Sequence, residues 1–386
     1  MKICTVTGSR AEFYILKNLI RKLEKNKYFN QHLIVTGSHN LKTFGNTIKE
    51  INKEKIKIGS RVIIKLKNDS ETGISQSFGE GVKLFSKAFL KIKPDILLIL
   101  GDRYEIFAAA IAACLNRIPI AHIHGGERTE GAIDEAIRHS ITKLSHMHFV
   151  STNEYFRRVE QLGENRRNIF NVGSMGVESL KRIELLSQNE LEKKLKIEFS
   201  KKNLLITFHP ESLKSKNENK KKLTELLNSL KHLPDTTLIF TMPGADANFK
   251  MIVKEINQFI KKNKKSYFFK SLGDKLYFSL CKVVDLMIGN SSSGVIEMPS
   301  FKKGTINIGE RQKGRIKAKS VLNVDFNEKK IRDKIRYSYS KKFNIFLRAV
   351  KNPYDQGKSS EKIIKILKTK DLNNILNKRF IDYKKK

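Results

Sequence analysis

Short apolar runs alternate with helical patterns along this chain, and that alternation constrains its fold more than any other feature. Consecutive parallel strands need a crossover, usually a helix, so the pattern predicts an α/β fold. The predicted strands cover residues 2–7, 32–36, 95–100, 118–123, 148–152 and 168–172, and then 203–208, 237–242, 267–269, 285–288 and 305–308. The two series predict two doubly wound domains with a cleft between them, joined by a charged helical stretch over residues 178–199.

The length of 386 residues also fits two domains, each able to bury an apolar core. We expect an N-terminal domain over residues 1–175 and a C-terminal domain over residues 176–358. Asn352, Pro353 and Tyr354 interrupt the helical pattern near the end of the second domain. Residues 359–386 are then predicted to form an amphipathic helix and a basic tail.

The chain is strongly basic, with 76 Lys and Arg against 39 Asp and Glu and a formal charge of +37. Such a charge makes nucleic-acid binding one alternative function. The lysines are spread over the whole chain, however, and no RNP, zinc-finger or helix-turn-helix pattern accompanies them. We therefore interpret the charge as a compositional bias and expect no nucleic-acid partner, although a positive field would attract a diphosphate-bearing substrate.

Cysteine usage and the N-terminus both predict a cytoplasmic protein. Cys4, Cys114 and Cys281 stand apart in apolar sequence and lack the paired spacing of a disulfide or zinc site, so we expect three reduced core thiols. Residues 1–6 run directly into a turn without the apolar segment of a signal peptide. No later stretch resembles a membrane span, so no membrane association is expected.

Two loops of the first domain carry polar side chains directly after predicted strands, where ligands collect in open α/β sheets. Residues 7–12 read Thr-Gly-Ser-Arg-Ala-Glu. The glycine permits a tight turn, the start of the next helix offers backbone amides to an anion, and Arg10 suits a phosphate, so the loop could bind a phosphate. A plain structural turn is the alternative. Residues 101–105 read Gly-Asp-Arg-Tyr-Glu after an all-apolar strand, which favours a site. Capping of the next helix by Asp102 is the alternative there.

The segment from His122 to His139 is the most informative one. It contains three glycines, three histidines and four carboxylates within eighteen residues at a strand end. A helix over its second half would stack Asp134 with Arg138 on one face. Surface ion pairs at that spacing are common, but the density of ionisable groups favours a functional site.

The histidines of this region offer a metal site as an alternative, because His122 and His124 would point to one face of a strand. His146 and His148 lie at the start of another apolar strand, where a buried, hydrogen-bonded histidine is the commoner outcome. We therefore predict no metal ion and no cofactor.

The second domain repeats the pattern of polar loops after strands. His209 follows its first predicted strand, where it could reach a diphosphate or the leaving oxygen; a lone capping histidine is the alternative. Residues 288–297 combine a strand end, a serine-rich loop and a helix start, which form an anion cradle of backbone amides and hydroxyls. Glu297 follows about one helical turn later, where a carboxylate can accept hydrogen bonds from a ribose diol.

Taken together, these segments resemble the hydrolysing UDP-N-acetylglucosamine 2-epimerases, the sialic-acid-pathway branch of a family that also contains non-hydrolysing members. The resemblance runs from Thr7 to about Lys358 and is most specific over residues 101–105, 122–148, 289–300 and 309–315. It implies a GT-B fold, in which two Rossmann-like domains face each other across a cleft and a C-terminal helix crosses back to the first. It also implies a homodimer.

The resemblance implies a role for each matching residue. Asp102, Glu127 and Asp134 would be acid/base groups at the sugar, with Arg138 beside them. His209 would act both in catalysis and at the nucleotide. The further candidates for binding substrate and nucleotide are Gly8, Arg10, Glu12, Arg103, His124, Ser291, Ser292, Ser293, Glu297, Arg311 and Arg315.

Two stretches depart from the family pattern. Phe13 and Tyr14 stand where many relatives carry a small residue after an aromatic one. In Gly244-Ala245-Asp246, the alanine follows a glycine where an asparagine often precedes it. We expect both stretches to affect contacts with the sugar or the base.

The reaction that the resemblance implies asks for these residue types. The hydrogen on carbon 2 is weakly acidic, so its removal must be coupled to departure of the diphosphate from carbon 1, which cationic and amide donors stabilise. Water then adds to carbon 1 of the glycal and carbon 2 is protonated from the other face, releasing a manno sugar for a nonulosonic acid such as sialic or legionaminic acid. The expected substrate is UDP-N-acetylglucosamine, giving N-acetylmannosamine, or a UDP- or GDP-linked 2,4-diacetamido relative. A non-hydrolysing epimerase or a GT-B glycosyltransferase is the alternative.

Overall fold

The structure is a computed structural model that describes residues 1–41, 45, 47–65, 68, 70–244 and 246–382. The chain divides into two compact units. The first contains Met1–Glu127, Asp134–Ser179 and the chain from Tyr354 onward, and the second contains Arg128–Ile133 and Leu180–Pro353. Residues 176–179 and 354–358 thus go with the first unit, whereas the predicted domain boundaries put them in the second domain.

A seven-stranded parallel sheet forms the centre of the first unit in its described part. The order β3-β2-β1-β4-β5-β6-β7 reverses between β1 and β4, so the loops after these two strands leave the same edge side by side. Helices cover both faces of such a sheet, which explains why β4 is apolar and buried throughout. The strands are β1 (Lys2–Thr7), β2 (Asn30–Val35), β3 (Ile58–Arg61), β4 (Ile96–Leu100), β5 (Ile120–Ile123), β6 (Met147–Val150) and β7 (Ile169–Asn171).

A helix follows each strand of the first unit along the chain. Ser9 caps the first of these helices, since its hydroxyl accepts the backbone N–H of Glu12 (3.4 Å). The helices are α1 (Arg10–Glu24), α2 (Ile48–Lys53), α3 (Glu71–Ile92), α4 (Tyr104–Leu115), α5 (Asp134–Leu144), α6 (Asn153–Gln161) and α7 (Met175–Leu180).

The second unit has a six-stranded parallel sheet in the order β10-β9-β8-β11-β12-β13, which reverses between β8 and β11. Its strands are β8 (Lys202–Thr207), β9 (Thr236–Thr241), β10 (Ser266–Phe269), β11 (Leu286–Gly289), β12 (Gly304–Ile308) and β13 (Val321–Val324). Its helices are α8 (Gln188–Leu195), α9 (Lys216–Leu230), α10 (Phe249–Lys262), α11 (Gly273–Val283), α12 (Ser292–Ile296), α13 (Glu328–Ser338) and α14 (Lys341–Arg348).

A short segment between β5 and α5, Arg128–Ile133, belongs to the second unit rather than the first. The backbone N–H of Glu130 donates to the carbonyl of Lys313 (3.2 Å), and that of Ile133 donates to Ser212 Oγ (2.8 Å). This excursion could not be predicted from the sequence, because it depends on partners far along the chain.

The chain returns to the first unit through α15 (Ser359–Thr369), as the resemblance implied for the C-terminal helix. The carboxylate of Glu178 accepts hydrogen bonds from the backbone N–H of Ser360 (2.7 Å) and from Asn18 Nδ2 (3.1 Å). Ile363 and Leu367 pack into the same apolar cluster as the buried face of α1. No helix in the described ranges combines the length and apolarity needed to cross a membrane.

Each strand predicted from the sequence is present, with its ends displaced by at most two residues. The edge strands β3 and β13 escaped prediction, because they are four residues long and only half buried. The helix predicted over residues 178–199 is wrong: α7 and α8 are separate, and a capping box of Ser187 and Glu190 starts the second one. The prediction of a core thiol is wrong for Cys114, which lies exposed near the end of α4.

A buried carboxylate, Glu164, links the C-terminal segment to the first unit. Its side chain is 2% exposed and accepts hydrogen bonds from His148 Nε2 (3.0 Å), Lys143 Nζ (2.6 Å) and Lys378 Nζ (2.7 Å). Burial alone would raise the pKa of Glu164, but these donors outweigh it and lower the pKa to about 2.

Glu164→Gln should lower the free energy of unfolding by about 1–3 kcal/mol at neutral pH, because the variant leaves the partly buried ammonium groups of Lys143 and Lys378 without the carboxylate that they bind. The stability that Glu164 contributes is present above its unfolded-state pKa, near 4.3, and is lost as pH falls toward about 2. Urea unfolding followed by circular dichroism at several pH values should therefore show the difference from wild type shrinking over that window.

The matched control is Glu160→Gln, which removes a carboxylate that is 37% exposed and pairs with Arg166. We expect a change of at most about 0.5 kcal/mol in this variant. Equal losses in the two variants would contradict the role of Glu164.

Candidate functional site

The loops after β1 and β4 meet where the strand order of the first sheet reverses. A Cβ on Gly8 would lie 2.6 Å from Cγ of Glu105, so this close approach requires glycine. Glu105 is buried and accepts a hydrogen bond from Arg103 Nε (3.0 Å). Arg103, predicted to bind substrate, thus helps to fold its own loop, and sequence reasoning missed Glu105 as its partner.

Glu12, another predicted binding residue, is buried at the same place. Its carboxylate accepts hydrogen bonds from the backbone N–H of Gly8 (2.7 Å) and from Ser9 Oγ (3.2 Å). Burial and the neighbouring Glu105 carboxylate raise the pKa of Glu12 to about 7, although Arg103 opposes the shift. Glu12 therefore holds the turn that carries Arg10, and its contact with a substrate stays a prediction.

Arg138 binds two of the three residues predicted to act at the sugar, one through its carboxylate and the other through its backbone. It is 1% exposed, forms an ion pair with Asp102 and donates from Nη1 to the carbonyl of Glu127 (2.9 Å). The capping alternative for Asp102 is wrong, since the N-cap position of α4 is Arg103. The loops after β4 and β5 are thus fixed to α5 by one guanidinium.

Asp134, the third predicted acid/base residue, is the first residue of α5 and half buried. It lies one turn before Arg138, as the sequence predicts. Glu135 and His139, at the same spacing, approach to 3.1 Å. Arg138 turns inward to pair with Asp102, and its Nη1 also lies 3.8 Å from Glu135 Oε2 on the same helix.

The side chain of Glu127 is buried between two other polar groups. His124 Nδ1 lies 3.3 Å from its Oε1, and Ser151 Oγ donates to the same oxygen (3.3 Å). His124 has a φ of 65°, a left-handed conformation that is uncommon outside glycine and occurs at constrained functional turns.

The remaining histidines of this region are engaged in structural hydrogen bonds. His122 Nε2 donates to the carbonyl of Gly101 (2.8 Å), and burial lowers the pKa of His122 to about 3, so its ring is neutral. His146 Nδ1 accepts from the backbone N–H of Ile120 (3.2 Å), while His148 binds Glu164 as described above. Within the described ranges, no group of three or more His, Cys, Asp or Glu side chains is arranged to hold a metal ion.

In the second unit, the loops after β8 and β11 meet at the corresponding reversal of strand order. The fully buried Asn290 accepts from the backbone N–H of His209 (2.7 Å) and donates from Nδ2 to its carbonyl (2.8 Å). The backbone N–H of Gly244 donates to His209 Nδ1 (3.0 Å). The neutral ring of His209 therefore carries its proton on Nε2, which makes that nitrogen a donor.

The alternative that His209 is a capping histidine is wrong. The next helix, α9, is capped by Ser215, whose hydroxyl accepts the backbone N–H of Glu218 (3.2 Å). Asn290, which sequence reasoning did not select, is the residue that fixes the His209 loop. An asparagine directly after a buried strand was the available signal.

Two side chains from the loop after β12 support Asn290 in turn. Arg311 Nη1 and Gln312 Nε2 donate to its backbone carbonyl at 3.2 Å and 2.9 Å. Gly289, with a φ of 137°, lets β11 approach the carbonyl of Thr207 more closely than any Cβ would allow. Arg311, predicted to bind substrate, thus holds the loop, while Arg315 lies half buried four residues further on.

The serine-rich loop follows Asn290 and leads into α12. Ser291 is the N-cap residue, and its hydroxyl accepts the backbone N–H of Ser293 (3.4 Å). The helix has only five residues, so its dipole adds little, and anion binding would depend on the amides and hydroxyls of residues 291–293. Glu297 lies buried at the C-cap of the same helix.

The two departures from the family pattern have different surroundings. Phe13 is a core residue of α1, edge-on to His39 with ring centroids 6.2 Å apart. Gly244 directly contacts the His209 ring through the hydrogen bond described above, while Ala245 lies outside the described residues.

Comparison with known proteins identifies the family. Residues 21–368 match the family described as UDP-N-acetylglucosamine 2-epimerase. The chain belongs to this family. It is 43% identical, over 99% of both chains, to the GDP/UDP-N,N'-diacetylbacillosamine 2-epimerase (hydrolyzing) of Campylobacter jejuni. It is 38% identical to the polysialic acid biosynthesis protein P7 of Escherichia coli, over 99% of this chain and 97% of that one.

These relatives confirm that the chain resembles the hydrolysing branch of the family. They also confirm the prediction that it is a hydrolysing 2-epimerase. The fold prediction is also confirmed. The crystal structure of UDP-GlcNAc 2-epimerase from Neisseria meningitidis bound to UDP-GlcNAc matches with a TM-score of 0.81 at 19% identity, over 96% of this chain and 100% of that one. Each of the two sheets is therefore the centre of a Rossmann-like domain, and the chain has a GT-B-type fold.

One glutamate carboxyl of this epimerase-family chain should titrate near pH 7, and Glu12→Gln should abolish that transition. The measurement is the carbon-13 chemical shift of labelled glutamate carboxyls as a function of pH. The folded pKa of Glu12 lies above its unfolded value near 4.3. A rise in pH from about 4.3 to about 7 should therefore lower the free energy of unfolding of wild type relative to that of the variant.

Glu24→Gln, which removes an exposed carboxylate from the same helix, is the control and should leave the transition unchanged. The interpretation fails if no carboxyl titrates between pH 6 and 8, or if the transition survives in Glu12→Gln.

Proposed function

We propose that this chain hydrolyses a nucleoside-diphosphate-linked 2-acetamido sugar with inversion at carbon 2, releasing nucleoside diphosphate and the free manno sugar. The observation that carries the proposal is the cluster around Arg138, in which one buried guanidinium binds the Asp102 carboxylate and the backbone of Glu127. Full-length identity of 43% to a relative named as a hydrolysing 2-epimerase supports the same reaction.

The first unit supplies the proton-transfer groups in this proposal. One of the carboxylates of Asp102, Glu127 and Asp134 removes the proton from carbon 2 as the bond between carbon 1 and the diphosphate oxygen breaks. The electron pair forms the double bond of a 2-acetamidoglycal. Water then adds to carbon 1, and a second group protonates carbon 2 from the opposite face. Asp102 forms an ion pair with Arg138, and a neighbouring guanidinium favours the carboxylate form that can accept a proton.

The second unit binds the nucleotide in this proposal. His209 offers its Nε2–H to the diphosphate or to the leaving oxygen, since Gly244 occupies Nδ1. The amides and hydroxyls of residues 291–293 bind phosphate oxygens, and Glu297 accepts from the ribose. Arg10 of the first unit adds a cation for the diphosphate.

The substrate in this proposal is a UDP- or GDP-linked sugar with an acetamido group on carbon 2, either N-acetylglucosamine or its 2,4-diacetamido relative. The names of the two relatives, one a diacetylbacillosamine epimerase and one a polysialic acid biosynthesis protein, support this range. We further propose that the enzyme acts in the cytoplasm as a homodimer. Its manno sugar product would then be used in the biosynthesis of a nonulosonic acid such as sialic or legionaminic acid.

Product analysis by NMR in deuterated water tests the reaction and the substrate together. Each donor of the panel, UDP-N-acetylglucosamine and the UDP- and GDP-linked 2,4-diacetamido sugars, is incubated with the protein. We expect at least one to yield free nucleoside diphosphate and a manno sugar with one deuterium at carbon 2. Release of nucleotide without deuterium would indicate plain hydrolysis, and an epimer still bound to nucleotide would indicate the non-hydrolysing reaction; either result contradicts the proposal.

Asp134→Asn should keep nucleotide binding and lower kcat/KM by at least about 100-fold, because it removes a proton-transfer group. Steady-state kinetics and calorimetry with the nucleoside diphosphate provide the two readouts. Glu154→Gln, which removes a carboxylate that is 56% exposed, should retain wild-type activity. Normal turnover in Asp134→Asn would remove Asp134 from the mechanism.

A further inference from the structure

A cavity of about 280 Å³ lies in the second unit at the amino ends of its parallel strands. Lys201 lines it directly before β8, Leu286 is the first residue of β11, and Lys303 directly precedes β12. The His209 and Asn290 loops leave the carboxyl ends of the same sheet. Since β8 has six residues, the two ends are roughly 17 Å apart at about 3.3 Å per residue.

Four cationic side chains line this cavity, namely those of Lys201, Lys302, Lys303 and Arg348. Within the part of the chain that the structure describes, neither Lys303 nor Arg348 has an ion pair or a hydrogen bond for its charged group. Lys201 makes only a loose contact of 3.8 Å with an exposed aspartate, and Lys302 donates to a backbone carbonyl. The four cations therefore outnumber the carboxylate that also lines the cavity, so its lining has a net positive charge.

The one carboxylate among the lining residues, Asp285, is already used. It accepts from the backbone N–H of Asn203 (2.8 Å) and from the hydroxyl of Tyr339 (3.4 Å). Burial, and then Asp285, raise the pKa of Tyr339, so its hydroxyl stays protonated as the donor. Among the described residues, Asp285 therefore forms no ion pair with Lys303 or Arg348, although it lines the same cavity.

The abundance of lysine explains single surface lysines, but it does not explain this arrangement. The cations come from three separate places, the loop before β8, the loop before β12 and the end of α14, and they converge on one concave site. Arg348 presents the planar fork that matches a phosphate, and Lys303 adds a point charge.

We propose that this cavity binds a small phosphorylated metabolite such as a sugar monophosphate. Pockets for drug-sized ligands span about 300–1,000 Å³, so a cavity of about 280 Å³ suits a ligand smaller than a nucleotide sugar. Lys303 and Arg348 bind its phosphate, and the polar lining residues Ser338 and Asn344 contact the sugar hydroxyls. The site is separate from the one proposed for the nucleotide and does not depend on it.

The test uses isothermal titration calorimetry with glucose 6-phosphate as the probe and glucose and inorganic phosphate as comparisons, all at one ionic strength. We expect saturable binding of glucose 6-phosphate, weaker binding of inorganic phosphate and none of glucose. Excess UDP should leave the affinity for glucose 6-phosphate unchanged. Lys303→Gln and Arg348→Gln should each weaken it by about tenfold.

The matched control is Arg336→Gln, which removes a cation that is 83% exposed on α13 and outside the cavity. This control should keep wild-type affinity, and since Lys303 and Arg348 have no partners among the described residues, all three variants should keep the wild-type circular dichroism spectrum. The proposal is overturned by an absence of saturable binding, by displacement with UDP, by equal or tighter binding of inorganic phosphate, or by equal weakening in Arg336→Gln.

Discussion

The reversal of strand order within each parallel sheet is the constraint on which the candidate site depends. Between β1 and β4, and again between β8 and β11, the crossovers run to opposite faces, so two neighbouring loops leave the carboxyl edge with no helix between them. Side chains must fill the space between the two loops, and in each unit they do so with a buried polar contact. Gly8 makes room for Glu105 in the first unit, and Asn290 binds the backbone of His209 in the second.

The two closing contacts differ in charge, and this difference has a physical consequence. In the first unit the contact involves two buried carboxyl groups, and the raised pKa of Glu12 means that its charge changes near neutral pH. In the second unit Asn290 is a neutral amide that satisfies both backbone groups of His209, so that contact does not titrate. The turn carrying Arg10 is therefore sensitive to pH through Glu12.

The sequence predicted the strands and the loops after them because both are local properties: apolar runs and their ends can be recognised without knowing what they pack against. It did not separate the residues that fix the loops from those that face a ligand. Asn290 and His209 are 81 residues apart, and Arg138 reaches Asp102 from a different crossover, so these pairings depend on strand order. The excursion of Arg128–Ile133 into the second unit is non-local for the same reason.

Arg138 shows why the pairing of a buried charge is informative about function. The four-residue spacing from Asp134 also allows a plain helix-surface pair, which would contribute only about 0.3–0.5 kcal/mol. The structure instead buries the guanidinium, where desolvation offsets much of the attraction to Asp102 and a well-packed apolar side chain would often serve stability equally well. What an apolar residue cannot do is hold a carboxylate and the carbonyl of Glu127 in fixed positions at once. The retained charge is therefore better explained by the geometry it imposes on two loops than by the stability it adds.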